Sequence, residues 1–215
     1  MTSSLKNKTL RAVLYLHFLS ALVADDRLFL KQAKTLENKT IAGRSIKFIS
    51  GDVIFTKGNL ILNCQEGRHY EKNDLAVLYK KVSAIQEQRT LTCDTIKFFS
   101  KEDRLLSIGS SHILDPDYDL KADSITVFTK QDSGVALGNV ILKQKGQTIK
   151  ANRIEYQKDK DQDGVSYTAI GDVIIEDSLR IATCGKAKYD RKNEVTTLEV
   201  EPKITENERV LSGEK

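Results

Sequence analysis

A short string of residues recurs along the sequence at a fixed spacing. The string is GDVIF at residues 51–55, GNVIL at 138–142 and GDVII at 171–175. The first two copies are 87 residues apart, or three steps of 29, and the intermediate steps fall on Lys80 and Gly109. A fixed period of this size is typical of proteins built from stacked units, none of which buries its apolar face alone.

A small residue follows each of these positions 13 residues later. This slot holds Cys64, Cys93, Ala122, Ala151 and Cys184. Four extra residues before the last full copy fall in KDKDQDG at 158–164, a polar segment that favours a hairpin tip. A further step of 29 from Gly171 reaches Val200, with Gly213 in the small slot. The sequence therefore predicts five full copies and a sixth, less regular copy.

We call the repeat positions 51, 80, 109, 138 and 171 the corner positions. Apolar and polar residues alternate on both sides of each corner position, which is the pattern of a half-buried strand. The inward candidates stand three and one before the corner, as Leu106 and Ile108 do, and two and four after it, as Val53 and Phe55 do. These two pairs differ in parity, so a straight strand would place them on opposite faces. We therefore predict a bend or bulge at the Gly-Asp or Gly-Asn pair, because Gly tolerates positive φ.

The second half of each copy repeats the pattern, with apolar or small residues at positions 11, 13, 16 and 18. In the fourth copy these are Ile149, Ala151, Ile154 and Tyr156. Each copy is thus predicted to be a long hairpin bent across its middle, so that two walls share one apolar inside. The predicted fold is all-β, a V-shaped antiparallel β-jelly roll of about five 29-residue bent hairpins, with almost no helix after residue 30.

The start of the chain is predicted to be an export signal. Lys6, Lys8 and Arg11 precede an apolar run over 12–24, and acidic residues follow it. The run of 13 residues is shorter than the roughly 20 that span a bilayer. The predicted domains are a signal peptide at 1–24 and one β-jelly-roll domain at 25–215, with a retained N-terminal anchor as the alternative.

The apparent basicity of the chain belongs to the leader. The whole chain has 34 basic and 30 acidic residues, and residues 1–24 contain three basic and no acidic ones. The remainder therefore has 31 basic against 30 acidic residues. A nearly neutral domain lacks the basic footprint of a nucleic-acid-binding protein, so no nucleic-acid partner is predicted.

The residue types that carry catalysis or bind metals form no convincing set. His69 and His112 do not complete a nucleophilic triad at any recognisable spacing. The cysteines occupy the small slot, which predicts buried side chains, and a disulfide among Cys64, Cys93 and Cys184 stays open. We predict no enzymatic activity and no cofactor.

One segment resembles the opening of a calcium loop. Asp159, Asp161, Asp163 and Gly164 spell D-x-D-x-D-G. The twelfth position of such a loop needs a glutamate, and Ile170 stands there. A solvated hairpin tip is predicted instead, with no metal.

The apolar inside is the predicted binding surface, as a groove that leaves part of its lining for acyl chains. The candidate lining residues are Val53, Phe55, Leu62, Leu91, Ile113, Leu120, Val140, Leu142, Ile149, Val173 and Ile175. The alternative is a plain hydrophobic core, and periodicity alone does not separate the two.

Both ends of the repeat are cut in mid-unit, which predicts two open strand edges. One edge is predicted near residues 33–36, and the other includes Ile204, Val210 and Leu211. An open edge presents unpaired N–H and C=O groups, so we predict that both edges pair with partners by strand addition.

Three strings carry a family resemblance: IKANRIEYQ at 149–157, GNVILKQKG at 138–146 and RIATCGKAKYD at 180–190. With the leader and the length, they resemble the OstA-like lipopolysaccharide-transport family over about residues 30–215. Departures are Lys80 at a corner, and Gly67 and His69 in the first copy.

The resemblance implies a location, a ligand and partners. The location is the periplasm of a Gram-negative bacterium, and the ligand is lipopolysaccharide, whose lipid A acyl chains lie in the apolar interior. The implied partners are an LptC-like inner-membrane protein and the periplasmic domain of an LptD-like outer-membrane protein, with a head-to-tail homo-oligomer as a further option. The role stays open between a soluble bridge and a membrane-anchored LptC-like component. Two other classes also stay open: a non-transporting envelope module, which would have a filled interior, and a hydrolase or lyase on a β scaffold.

Overall fold

The computed structural model describes residues 27–158 and 165–213. The predicted signal peptide and the D-x-D-x-D-G segment lie outside these residues. The described strands are β1 Phe29–Gln32, β2 Thr35–Ile41, β3 Arg44–Lys57, β4 Leu60–Tyr70, β5 Leu75–Gln86, β6 Arg89–Phe99, β7 Arg104–Leu114, β8 Asp119–Phe128, β9 Ser133–Gln144, β10 Gln147–Lys158, β11 Val165–Glu176, β12 Arg180–Asp190, β13 Val195–Glu199, β14 Lys203–Glu206 and β15 Arg209–Ser212. Two short 3-10 helices, Glu71–Asn73 and Ser100–Glu102, are the helical segments of the described part.

All of these strands belong to one antiparallel sheet. The order is β1-β3-β4-β5-β6-β7-β8-β9-β10-β11-β12-β14-β15, with β2 also paired to β3 and β13 to β12. From β3 to β12 each strand pairs with the next one along the chain, so the sheet grows hairpin by hairpin. The prediction of an all-β antiparallel jelly roll is confirmed.

The long strands bend at the predicted corners. Two residues of β3, Gly51 and Asp52, oppose one residue of β4, because Ser50 pairs with Glu66 and Val53 pairs with Cys64. Consecutive residues with positive φ mark these corners in the described chain: Gly51 with Asp52, Lys80 with Lys81, Gly109 with Ser110, Gly138 with Asn139, Gly171 with Asp172 and Val200 with Glu201. The predicted bulge at the Gly-Asp and Gly-Asn pairs is therefore confirmed.

The bends fold the sheet back on itself. Phe55 pairs with Leu62, and His69 stands seven residues further along the same strand, β4. A straight strand would put His69 about 23 Å from this pair. The rings of Phe55 and His69 are instead 6.3 Å apart, centroid to centroid. The two halves of each long strand therefore form two facing walls.

We name the walls by their strand segments. The first wall contains residues 44–50, 66–70, 75–79, 95–99, 104–108, 124–128, 133–137, 153–158, 165–170 and 186–190. The second wall contains residues 53–57, 60–64, 82–86, 89–93, 111–114, 119–122, 140–144, 147–151, 173–176 and 180–184. One continuous cluster of buried apolar side chains from both walls fills the space between them.

The inward side of the first wall differs from the prediction. Ile108 and Leu137, one residue before a corner, are 38% and 40% exposed. Leu78 and Ala136, two residues before a corner, are fully buried. The prediction was wrong because it assumed that parity switches at the corner. The two positive-φ residues turn the chain so that the positions two before and two after the corner both face inward.

The ends of the sheet are open among the described residues. At one end β1 and β2 each pair only with β3, and at the other β13 pairs only with β12 and β15 only with β14. The predicted N-terminal edge near 33–36 covers the corner between β1 and β2, where the Lys34 N–H donates to the Ser50 carbonyl at 2.9 Å. Leu36, Val210 and Leu211 on these edges are 55%, 54% and 70% exposed.

Candidate functional site

The predicted lining residues all lie on the second wall and are all buried. None of the eleven is more than 6% exposed. They face apolar side chains of the first wall that the list omitted: Ile96, Phe98, Ile125 and Ile154, each fully buried. These stand at positions 16 and 18 of their copies, so the alternation already marked them as inward.

The interior is packed on itself in this structure. Phe55, Leu62, Ile113 and Ile149 are at most 1% exposed, as expected for close-packed side chains. An acyl chain can therefore reach these residues only if the two walls move apart. The contacts that join the free ends of the walls, opposite the corners, decide how readily this happens, and we call this side the mouth.

One ion pair crosses the mouth between β3 and the β6–β7 turn. Lys57 Nζ lies 2.6 Å from Asp103 Oδ1, and the two side chains are only 8% and 16% exposed. Lys57 also donates to the Ser100 carbonyl, and Lys130 Nζ lies 2.9 Å from Asp103 Oδ2. Such charge-assisted contacts are about twice as strong as neutral hydrogen bonds.

The charge of Asp103 is stabilised by these lysines. Burial alone would raise the pKa of Asp103, but the hydrogen bonds and the positive charges of Lys57 and Lys130 outweigh burial and lower this pKa below its ordinary value. The carboxylate therefore stays ionised at neutral pH and holds the mouth closed.

A second set of charges crosses the mouth in the centre of the sheet. Arg89 Nε donates to Asp115 Oδ2 at 3.0 Å, and Arg89 Nη1 lies 3.6 Å from Asp132 Oδ1 in the β8–β9 turn. Arg89 also lies over the ring of Tyr118, 5.9 Å from its centroid. Asp132 belongs to the first wall's turns, and the other three residues belong to the second wall, so this cluster joins the two.

Tyrosines form the mouth beyond this cluster. Tyr156 on β10 and Tyr167 on β11 are directly paired, and Tyr167 is paired with Tyr189 on β12. Tyr118, from the second wall, lies 6.4 Å from Tyr156, ring to ring. The hydroxyls of Tyr118, Tyr156 and Tyr167 are buried without a hydrogen-bond partner in the described structure.

Polar side chains link neighbouring copies on the outside of the corners. Asn139 Nδ2 donates to Asp123 Oδ2 at 2.9 Å, and Asn152 Nδ2 donates to Asp172 Oδ2 at 2.9 Å. Each bond joins the residue after one corner to the fourteenth position of the preceding copy. These bonds stabilise the bend between consecutive copies.

The C-terminal part of the chain matches a known protein family. Residues 119–215 match the family described as LptA/(LptD N-terminal domain) LPS transport protein. This part of the chain is therefore similar to that family. It begins at β8, so it includes both walls, the Asn139 and Asp172 corners and the row from Tyr156 to Tyr189. The bent hairpins from β3 to β7 continue the sheet of the matched residues in the N-terminal direction.

A solved structure is also similar to this chain, at low sequence identity. The LptA-homologous protein LptH of Pseudomonas aeruginosa, a periplasmic component of a lipopolysaccharide transport device, is a similar solved structure with 14% sequence identity and a TM-score of 0.42. The match covers 73% of this chain and 94% of LptH. No curated protein matches the chain.

The three cysteines are free thiols. Cys64 and Cys184 are buried and Cys93 is partly buried, beside the corners. Burial raises the pKa of Cys64 and of Cys93 to about 11. These thiols are therefore protonated at neutral pH, as expected for small residues of the interior.

The histidines are split between the walls. His69 Nε2 lies 3.1 Å from Asp74 Oδ1 on the first wall, and His112 Nε2 lies 2.9 Å from Asp119 Oδ1 on the second. Among the described residues, no group of three or more His, Cys, Asp or Glu side chains is arranged to hold a metal ion. Residues 27–158 and 165–213 likewise include no helix that is long and apolar enough to cross a bilayer.

Proposed function

We propose that this protein transports lipopolysaccharide, holding the lipid A acyl chains between its two walls. The observation that carries the proposal is that a chain matching an LPS transport family has one apolar face running unbroken through β3 to β12. Val53 and Phe55 lie near one end of this face, and Val173 and Ile175 lie near the other. Acyl chains on such a face pass from copy to copy without returning to water.

The energetics require opening of the mouth. Burial of acyl chains is favourable by roughly 0.8 kcal/mol per CH₂ relative to water. Part of this gain offsets the contacts between the walls, because Leu62 and Ile149 have no exposed surface in the closed interior. The Lys57–Asp103 pair and the Arg89 cluster must also separate or rearrange.

The role that fits best is a bridge between membranes. The sheet has an unpaired edge at β1 and β2 and another at β13 and β15 within the described chain. Head-to-tail strand addition at these edges does not close on itself, and it would continue both walls into the next protein. The proposed partners are an LptC-like inner-membrane protein, the periplasmic domain of an LptD-like protein, and further copies of this chain in a periplasmic assembly. A membrane-anchored LptC-like role is the alternative.

Photo-crosslinking in cells tests the transport proposal. A photoreactive residue in place of Leu142 or Ile149, both inward and buried, should label lipopolysaccharide. Lys143, between Leu142 and the turn, is exposed and is the matched outward control. Equal labelling at residue 143 would show that the lipid does not enter between the walls.

The packed interior favours one second candidate, a structural envelope module that carries no lipid. Binding of purified lipid A to the isolated protein separates the two. Transport requires saturable binding that Ile149→Lys weakens, whereas a structural module shows no binding. A normal level of lipopolysaccharide delivery with Ile149→Lys in a folded protein would also favour the module.

A further inference from the structure

The row of tyrosines at the mouth has a feature that packing does not explain. Tyr118, Tyr156 and Tyr167 are 7%, 7% and 3% exposed, and their hydroxyls have no hydrogen-bond partner within the described structure. The buried hydroxyl of Ser107, by contrast, lies 2.8 Å from Ser111 Oγ and 3.1 Å from the Ile125 carbonyl. Burying an unpaired hydroxyl is destabilising, and phenylalanine would fill the same space without that penalty.

We propose that Tyr118, Tyr156 and Tyr167 form a polar subsite that binds the ester or amide carbonyl oxygens at the heads of the ligand's acyl chains. This inference rests on the proposed transport function. It assigns the place along the interior where the polar end of each acyl chain lies.

The arrangement of the rings gives the subsite its shape. Tyr156 and Tyr167 are paired across β10 and β11, so their side chains stand side by side on one face. Tyr118 reaches Tyr156 from the opposite wall at 6.4 Å. The Tyr167 ring stacks on Tyr189 at 5.3 Å. The row therefore crosses the mouth, and its hydroxyls lie where apolar interior meets polar surface.

The protonation state suits hydrogen-bond donation. Burial raises the pKa of Tyr118 to about 12 and raises the pKa values of Tyr156 and Tyr167 well above their ordinary value. All three hydroxyls therefore carry their protons at any physiological pH. Each hydroxyl can therefore donate its proton to an acceptor on the ligand.

The surrounding charge favours a neutral acceptor over a phosphate. Arg89 is the cation next to Tyr118, but Asp115 and Asp132 accompany it at 3.0 Å and 3.6 Å. The local charge is therefore not positive, and an anionic headgroup gains little there. A carbonyl oxygen at the head of an acyl chain is neutral, and it lies one bond from the chain that the apolar interior would bind.

A cavity opens at the end of the strands that carry the row. It has a volume of about 510 Å³ and is lined by Tyr156, Tyr167 and Tyr189 together with polar residues such as Glu155, Gln157 and Lys188. A side chain at Gly134 would meet the Tyr156 hydroxyl, since a Cβ there would be 2.5 Å from that oxygen. Glycine at this position therefore leaves space for the Tyr156 ring and its hydroxyl beside β9.

Phenylalanine variants test the subsite with purified lipid A. Tyr156→Phe and Tyr167→Phe should each weaken binding about three- to tenfold, the usual range for one hydrogen bond. Without lipid, each variant should unfold at the same or a higher temperature, because an unpaired hydroxyl is removed. Tyr79→Phe is the matched control, because Tyr79 lies under Arg68 at 5.7 Å, one residue before a corner. This variant should change neither the binding of lipid A nor the unfolding temperature.

A pair of synthetic lipids tests the acceptor itself. Dioctanoyl phosphatidic acid has two ester carbonyls, and its dioctyl ether analogue has the same chains and headgroup without them. The wild type should prefer the ester lipid, and the double variant Tyr156→Phe, Tyr167→Phe should lose the preference.

The outcomes separate this inference from the proposed function. Equal binding of both synthetic lipids by the wild type, with lipid A binding unchanged in the variants, would overturn the subsite and leave transport standing. A lowered unfolding temperature in the Phe variants would also overturn the subsite, because it would mean that the hydroxyls are already paired. If the wild type binds neither lipid A nor the synthetic lipids, the transport proposal falls, and the subsite falls with it.

Discussion

Lys57 Nζ lies 2.6 Å from the Asp103 carboxylate and thereby joins the free ends of the two walls. Lys57 ends β3, and Asp103 immediately precedes β7, so the pair links strands that are not neighbours in the sheet. Both side chains are largely buried, which makes this contact much less screened by salt than a surface pair. This ion pair therefore helps to hold the two walls together in the closed state.

Removing one partner of this pair should destabilise the closed walls. Asp103→Asn or Lys57→Met should lower the free energy of unfolding by about 1.5–3 kcal/mol, the range for charge-assisted hydrogen bonds. Urea unfolding measures this loss. Lys39→Met is the control, because the Lys39–Glu37 pair is 56% and 63% exposed and should contribute much less to stability. Equal losses for both sites would mean that the mouth is not fastened at Asp103.

The same pair predicts acid sensitivity. The pKa of Asp103 is lowered in the folded protein, so its ionisation stabilises the fold above the ordinary aspartate pKa of about 3.9. This stabilisation is lost as the pH falls below 4 through the lowered pKa. The difference in unfolding free energy between wild type and Asp103→Asn should therefore be constant from pH 7 to 5 and shrink below pH 4. A difference that grows on acidification would have the wrong sign for this account.

Corner glycines should tolerate substitution less well than turn glycines. Gly138 and Gly146 both have φ of 76°, so Ala at either costs about 1 kcal/mol in backbone strain. A Cβ at Gly138 would also lie 2.3 Å from Asp123 Oδ2, whereas nothing lies within 4 Å at Gly146. Gly138→Ala should displace Asp123 from Asn139 and cost about 1 kcal/mol more than Gly146→Ala. Chemical denaturation of the two variants measures the difference, and equal costs would exclude a role for the corner bond.

The C-terminal edge should be the joint of the proposed assembly. Val210 and Leu211 lie on β15, and successive N–H groups of a strand point to opposite edges. Of Val210→Pro and Leu211→Pro, one should therefore remove an outward donor and weaken head-to-tail assembly, seen by light scattering, and lipopolysaccharide delivery in cells. The other removes a donor that faces β14. If both variants assemble and deliver at the wild-type level, the joint lies elsewhere.

The repeat spacing, the strands and the corners were predictable from the amino-acid sequence. The reason is local: Gly with Asp or Asn accommodates positive φ, and alternation reports which residues share a strand face. The second-wall lining was also predictable, because Leu142 and Ile149 alternate with polar neighbours on both sides of one turn.

Two features were not predictable from the sequence: which first-wall residues face inward just before a corner, and which contacts close the mouth. The side that Leu78 presents depends on how two positive-φ residues turn the chain, which alternation does not encode. The Lys57–Asp103 pair and the Tyr118–Tyr156 contact each join two residues that are far apart in the sequence and do not lie on paired strands. Their distances depend on the angle between the walls, and that angle is set by all the corners together.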